Sequence, residues 1–320
     1  LSAILKDVGQ IDRKVYIGGA DIAGVLGVSP WQSRVSVWQK KTGNEPPRAP
    51  RPGKKKLFQR GKVWEAVVGE MLVAELEAQE HKVQVLSANH RYVDVDVPYF
   101  AAEIDYEIRL DDIPDVVNVE LKTVHPNASR EWGEDFTDEI PIHYAAQAQW
   151  GMGITGRHLC IVAPLFGADE IKIYPISRDN DTIAGMRAQA RDFWELYVLR
   201  NVAPEPIDLA DVDRLFKIDA ETIARAEPDM VDKLLRYRAV EAEITARESE
   251  RDVLEFQIKR YMESATILQI PGQEKPAATW KARKNAHLDQ AALKADYPKL
   301  FKQYMREGSS RVFEVKSFKP

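Results

Sequence analysis

The spacing of apolar positions changes period several times along the chain, and each change marks an element. Residues 18 to 43 carry apolar side chains at helical spacing in two short runs, separated by a turn at Gly27-Val28-Ser29-Pro30; the second run holds Trp38 and ends near Gly43. Residues 44 to 53 contain four prolines and three charged residues, too proline-rich for regular structure, and open into a long helix from about Leu57 to Gln79. Strand character then predominates in 82–92, 99–110 and 116–124, with a turn at Asp111-Asp112-Ile113-Pro114-Asp115. A helix over 142–153, strands over 158–164 and 170–176, and a helix over 179–200 complete the pattern. Helices flanking a central mixed sheet define an α/β class.

Two closely spaced prolines, Pro204 and Pro206, stop the preceding helix and mark a boundary. The expected organisation is one domain over 1–206 and an appendage over 207–320, helical with a small α+β part. The appendage reads as a charged helix over 231–262, a Pro271-Gly272 turn, a basic strand around 279–284, a helix over 288–305 and a last strand over 311–318. The charged helix has the texture of a hairpin or an oligomer contact. No internal repeat or low-complexity tract interrupts it.

Composition narrows the function classes. With 320 residues, 44% hydrophobic and 30% charged, the chain suits a globular protein, and disorder is not expected. No run reaches the roughly 18 apolar residues of a membrane span. The first dozen residues carry Lys6, Asp7 and Asp12 without an apolar signal core, so a cytoplasmic location is expected. The single Cys160 excludes an internal disulfide and a cysteine-rich zinc site, and its apolar setting points to a buried structural thiol. Net charge is −5, which argues against a polyanionic partner. Local charge points the other way: Lys41, Arg48, Arg51, Lys54, Lys55, Lys56, Arg60 and Lys62 face one acid, Glu45, and residues 275–320 hold eleven basic residues against four acids.

The chemistry is concentrated in two strands. Alternation places Ala101, Glu103, Asp105, Glu107 and Arg109 on one face and Ala102, Ile104, Tyr106, Ile108 and Leu110 on the other, the second set forming core. In 116–123 it places Val117, Val119 and Leu121 inward and groups Asn118, Glu120 and Lys122 on the opposite face. A hairpin centred on Asp112-Ile113 pairs residues whose numbers sum to about 225, which sets Asp105 opposite Glu120 with Cβ atoms roughly 4.5 to 5.5 Å apart. Two carboxylates that close destabilise the sheet unless one is protonated or a cation lies between them. Hard oxygen donors suit Mg²⁺ or Mn²⁺, which leave positions for water and phosphate oxygens. Lys122, on the same face, is placed to act on a metal-bound water and on charge developing at phosphate. A further carboxylate, Glu65, lies on the long helix four residues after Gly61, hence on the same helix face.

The order Gly61-x-x-x-Glu65, Asp105, Glu120-Leu121-Lys122, followed by a helix with Gln147 and Gln149, resembles the restriction-endonuclease-like nuclease fold. More narrowly, Ile17-Gly18-Gly19-Ala20-Asp21-Ile22-Ala23, Val25-Leu26-Gly27-Val28-Ser29-Pro30-Trp31, Tyr144-Ala145-Ala146-Gln147-Ala148-Gln149 and Phe193-Trp194 resemble the YqaJ-like viral recombinases, a group of phage lambda-type exonucleases. The resemblance implies a phage or prophage exonuclease that degrades one strand of linear duplex DNA from its 5′ end, as a ring-shaped homotrimer, and hands 3′ single-stranded tails to an annealing protein. It implies that Asp105 and Glu120 ligate metal together with the Leu121 carbonyl, that Lys122 acts on the attacking water, and that Glu65 holds a second metal directly or through water. Residues two apart on a helix point about 200° apart, so one glutamine of the pair faces the site, and Gln149 is preferred. Arg13, Lys54, Lys55, Lys56, Arg60 and Gln147 are the candidate DNA contacts.

Two positions depart from the family pattern. Ala20 stands where a serine is common, which leaves a terminal-phosphate hydroxyl to Ser29 or Ser33; Tyr106 replaces a frequent glycine after the metal-binding aspartate. Arg13 is the candidate for a 5′-phosphate pocket. The six histidines lack metal-ligand spacing, Gly18-Gly19 lacks the rest of a phosphate loop and reads as a helix entry, and Trp31 and Trp38 are expected in the core, the alternative being a stacking platform at a DNA end. Competing readings are an endonuclease of the same fold, a non-catalytic DNA-end or scaffold protein, and an oligomerisation module centred on 207–320.

Overall fold

A computed structural model describes residues 3–5, 12–45, 52–217, 222–305 and 311–318, with 3–5 and 52–62 described as backbone alone. The chain divides into two units, 1–216 and 217–320.

The first unit is built on a seven-stranded mixed sheet, in the order β1 (Ala3–Leu5), β2 (Val83–Val93), β3 (Ala101–Leu110), β4 (Ile113–Val124), β5 (Leu159–Phe166) and β6 (Glu170–Ile171), with β7 (Tyr174–Ser177) also paired to β5. All pairs are antiparallel except β4 and β5, which run parallel and are joined across α4 (Ile142–Thr155). The parallel pair, covered on both sides, is nearly continuous in apolar residues: Val117, Val119, Leu121, Ile161, Val162, Ala163 and Leu165 are all buried.

Two cores result, one on each side of the sheet. On one side the long helix α3 (Pro52–Ala78) lays Val68, Leu72 and Leu76, four residues apart, against Val117, Val119, Leu121, Ile161 and Leu165. On the other side α1 (Gly19–Leu26), α4 and α5 (Asn180–Phe193, continued by a π-helical turn Trp194–Val198) pack around Phe100, Trp150, Tyr174 and Phe193. α2 (Arg34–Thr42) follows α1, its first turn capped by the Ser33 hydroxyl, which accepts from Ser36 N–H at 3.1 Å.

The expected single core face on β3 is corrected by the structure. Ala102 and Ile104 belong to the α4 side, whereas Tyr106, Ile108 and Leu110 belong to the α3 side. The change of face falls at Asp105. The β2–β3 ladder pairs Ala88 with Tyr106 and His90 with Ile104, and passes over Asn89 and Asp105, with Asn89 at φ 54°. A left-handed residue in one strand turns its neighbours out of phase, and asparagine tolerates that conformation better than most. The β3–β4 register keeps the expected sum at Tyr106–Val119, Glu107–Asn118 and Ile108–Val117, then ends short of Asp105.

Other differences are local. The unit boundary falls after Phe216 and not after residue 206, because α6 (Leu209–Leu215) packs on α2: Ser33 donates to the buried Asp211 carboxylate and Gln39 to the Arg214 carbonyl at 3.4 Å. In the second unit α7 (Pro228–Met262) spans 35 residues. The expected strand over 279–284 is reduced to β9 (Ala278–Thr279), paired with β8 (Ile267–Leu268), and the described residues 311–318 are not a strand. The expected helix over 288–305 is two, α8 (Gln290–Asp296) and α9 (Pro298–Tyr304), because Pro298 forces an extended bias on Tyr297.

Candidate active site

At the end of the β3–β4 ladder a cavity of about 180 Å³ opens between α1, α3, α4 and the two strands, lined among others by Glu65, Asp105, Glu120, Leu121, Lys122 and Gln147. Because β4 parts from β3 here, the Leu121 N–H points back at Asp105, whose Oδ2 accepts it at 2.8 Å. Glu120, 5% exposed, accepts from Lys122 Nζ and from Gln147 Nε2 at 2.5 Å on the same Oε1. Lys122 Nζ lies 5.5 Å from the Tyr144 ring centroid.

The electrostatics follow from crowding. Burial, then the Glu120 charge, raise the Asp105 carboxyl to about 8, with Lys122 and the Leu121 N–H opposing. Burial alone would lower the Lys122 ammonium, but Glu120 and Asp105 outweigh it and hold the group above the usual lysine range. Burial and the Glu120 charge thus favour the protonated form of Asp105, and the acidic neighbours favour the ammonium form of Lys122. A buried oxygen donor set that retains a proton in this way fits a hard divalent cation, which would displace it. Glu65 lines the same cavity from α3, but the three carboxylates do not all lie within 4.8 Å of one another. Among the described residues the one His/Cys/Asp/Glu group that meets that distance is His81, Asp111 and Asp112, at the remote end of the β3–β4 hairpin.

The helix α4 delivers one glutamine and not the other. Gln147 reaches Glu120, while the buried Gln149 is turned away: its Nε2 donates to the Ser177 carbonyl at 2.7 Å and its Oε1 accepts from Asp179 N–H at 3.0 Å. The preference for Gln149 is thus corrected; its amide ties β7 to the start of α5. Gln147 packs closely over Gly19, where a Cβ would come within 3.1 Å of Gln147 Cγ. Tyr106, the departure after Asp105, is accommodated by Gly69 on α3, where a Cβ would approach its ring to 2.5 Å.

Arg13 and Arg91 converge on Glu103, which lines the cavity with Arg13 and Tyr16. Arg13 Nη2 is 2.9 Å from Oε2, Arg91 Nη2 and the Tyr16 hydroxyl meet Oε1, the latter at 3.2 Å, and Arg91 is 2% exposed. Arg91, Glu103 and Tyr16 escaped the sequence reading as partners because they come from three separate segments. The Ser29 and Ser33 hydroxyls, expected to replace that missing at Ala20, do neither line the cavity nor face it as free groups: Ser29 accepts from the N–H of Trp31 and Gln32, and Ser33 is bound to Ser36 and Asp211. Asp21 caps α1 by accepting from Gly18 N–H at 3.2 Å and pairs with Lys41 at 2.6 Å. Lys54, Lys55, Lys56 and Arg60 lie on α3, and their side chains are outside the described residues.

Residues 10–158 match the family model of the YqaJ-like viral recombinase domain. Over 324 aligned residues the chain is 26% identical to the uncharacterized protein YqaJ of Bacillus subtilis (strain 168), covering 98% of this chain and 95% of that one. Among solved structures it is similar to an alkaline exonuclease, LHK-Exo, from Laribacter hongkongensis, at 16% identity and a TM-score of 0.44 over 59% of this chain and 91% of the other. The same exonuclease in complex with dAMP gives 15% identity, the same coverage and a TM-score of 0.44. No helix among the described residues is long and apolar enough to cross a membrane.

Proposed function

We propose that the chain is a metal-dependent DNA nuclease, an exonuclease that removes one strand of linear duplex from the 5′ end and leaves 3′ tails for recombination. The observation that carries this reading is the convergence of Asp105, Glu120, Lys122 and Gln147 on one cavity at the point where β3 and β4 part. Asp105, Glu120 and the Leu121 carbonyl would hold the ion, with Glu65 as a further donor; Mg²⁺ or Mn²⁺ there supplies a charge that acidifies water and neutralises phosphate. The chain's own groups account for the rest. Lys122, held protonated chiefly by the Glu120 carboxylate, places a cation against charge developing on the phosphate oxygens. Gln147 fixes the Glu120 carboxylate in position, and the Tyr144 ring lies beside the Lys122 ammonium.

Arg13 places an exposed guanidinium at the cavity mouth, suited to a terminal 5′ phosphate, with Lys54, Lys55, Lys56 and Arg60 on α3 as cations for the duplex backbone. A homo-oligomer, trimeric by family resemblance, and a single-strand annealing protein as recipient of the tails belong to the same reading. The test is incubation of linear duplex, with and without a 5′ phosphate, beside a closed circle in Mg²⁺ and in Mn²⁺. Loss of the phosphorylated strand from its 5′ end, with the circle intact, is expected. Cutting of the circle would establish an endonuclease instead.

A further inference from the structure

Trp31 lies outside the core in which the sequence reading put it. It is 66% exposed, whereas Trp38, Trp132, Trp150 and Trp194 are buried. A surface indole forgoes a hydrophobic gain of about 2 kcal/mol or more, so its exposure on an ordered loop calls for a use. The loop is pinned: Ser29 Oγ accepts from the N–H of Trp31 at 3.2 Å and of Gln32 at 3.1 Å, and the Gln32 amide donates to the Ala20 carbonyl at 3.0 Å. The indole stands edge-on to His143, with centroids 4.7 Å apart and planes at 81°, and 6.2 Å from Tyr144. His143 is 9% exposed, yet its Nε2 has no hydrogen-bond partner. Tyr144 is the ring beside Lys122 Nζ, and the two centroid distances of 6.2 and 5.5 Å place the indole within about 12 Å of that ammonium.

We propose that Trp31, backed by His143 and Tyr144, is a stacking platform for one unpaired nucleobase of the strand whose phosphate lies at Lys122. The proposal rests on the nuclease reading and adds a preference to it: a base inside a duplex has no free face, so the platform takes a frayed or single-stranded end. A stacked strand advances about 3.4 Å per nucleotide, which sets the stacked base within roughly three nucleotides of the phosphate being cut.

The test uses the full chain and single-stranded oligonucleotides carrying 2-aminopurine at successive positions from the 5′ end, in chelator, so that stacking is read without cleavage. Quenching at one position is expected for the wild type and for Trp31→Phe, and its loss for Trp31→Ala, with binding weakened about 5- to 150-fold. An abasic residue at the quenched position should weaken the wild type to the level of Trp31→Ala and leave that variant indifferent. In Mg²⁺, Trp31→Ala should raise KM more than it lowers kcat. Unchanged quenching and affinity in Trp31→Ala, or additive losses with the abasic strand, would overturn the platform. A wild type that stacks the oligonucleotide but cuts no DNA would sink the nuclease reading and leave the platform standing.

Discussion

Asp105→Asn separates stability from activity more sharply than any other change at this site. In the metal-free protein, burial and the Glu120 charge hold the Asp105 carboxyl at about 8. A folded-state value above the unfolded one means that the folded chain keeps a proton the unfolded chain releases. Stability is then full below about pH 4 and falls as pH rises towards 8. The displacement from 3.8 to about 8 corresponds, at about 1.4 kcal/mol per pH unit, to a ceiling of roughly 6 kcal/mol, and the shared titration with Glu120 reduces it to a few.

Asparagine removes the ionisation and keeps an oxygen to accept from Leu121 N–H, the 2.8 Å bond that Asp105 makes. Below about pH 4, where the aspartate is neutral in the folded and the unfolded chain alike, the variant should match the wild type in urea unfolding with chelator present. At pH 9 it should be the more stable by a few kcal/mol. In Mg²⁺ at neutral pH the same variant, lacking an anionic ligand, should be nearly inactive on linear duplex and should bind the ion weakly in calorimetry. A wild type whose metal-free stability runs parallel to that of the variant from pH 5 to 9 would refute the crowding argument. Full cleavage by the variant would refute the site.

Lys122→Ala leaves the carboxylates in place, so metal titration and DNA binding should persist while the single-turnover cleavage rate falls by about 10² or more. Gln147→Ala should lower cleavage with little effect on the melting curve, whereas Gln149→Ala should cost about 1 to 3 kcal/mol by orphaning the Ser177 carbonyl and Asp179 N–H, with cleavage per folded molecule retained. Neutralising Lys54, Lys55 and Lys56 together should weaken duplex binding and reduce the slope of log affinity against log salt by up to about 3, as titrations from 50 to 300 mM salt would show.

Much of the site was legible because strands have a period of two. Glu120, Lys122 and Asn118 share a face by counting alone, and the register sum that holds at Tyr106–Val119 and Glu107–Asn118 follows from the turn residues. What counting could not reach is the phase change at Asp105, since it depends on Asn89 in another strand adopting φ 54°. The choice between Gln147 and Gln149 was likewise out of reach. Their 200° separation fixes that they diverge, but the rotation of α4 is set by its packing against β5 and α5, through Trp150, Met152 and the Ile183 that crowds Gly153. Trp31 was misjudged for a related reason. Indoles are usually buried, and only the position of α4 shows that the one beside His143 has no cover.

The phase change also explains why the two carboxylates can share a cavity at all. Had β3 kept strict alternation, Ile104 and Tyr106 would lie on one side and Asp105 would face α4 squarely opposite Glu120, with no reason for the strands to part. Instead Ile104 packs under α4 against Gly151, Tyr106 packs under α3 against Gly69, and the chain between them is turned edge-on to the sheet. Asp105 therefore leaves the ladder and uses its carboxylate to accept from the Leu121 N–H that a regular β3–β4 pair would have satisfied by backbone. The opening made by that exchange is the cavity, and Glu120 and Lys122, still in phase on β4, line its other side. Asn89→Val, whose β-branched side chain is strained at φ 54°, should lower thermal stability in chelator and, by drawing the strand towards regular pairing, depress metal affinity. A β-branched residue that left both quantities unchanged would show that Asp105 is held out of the ladder by something other than the left-handed residue facing it.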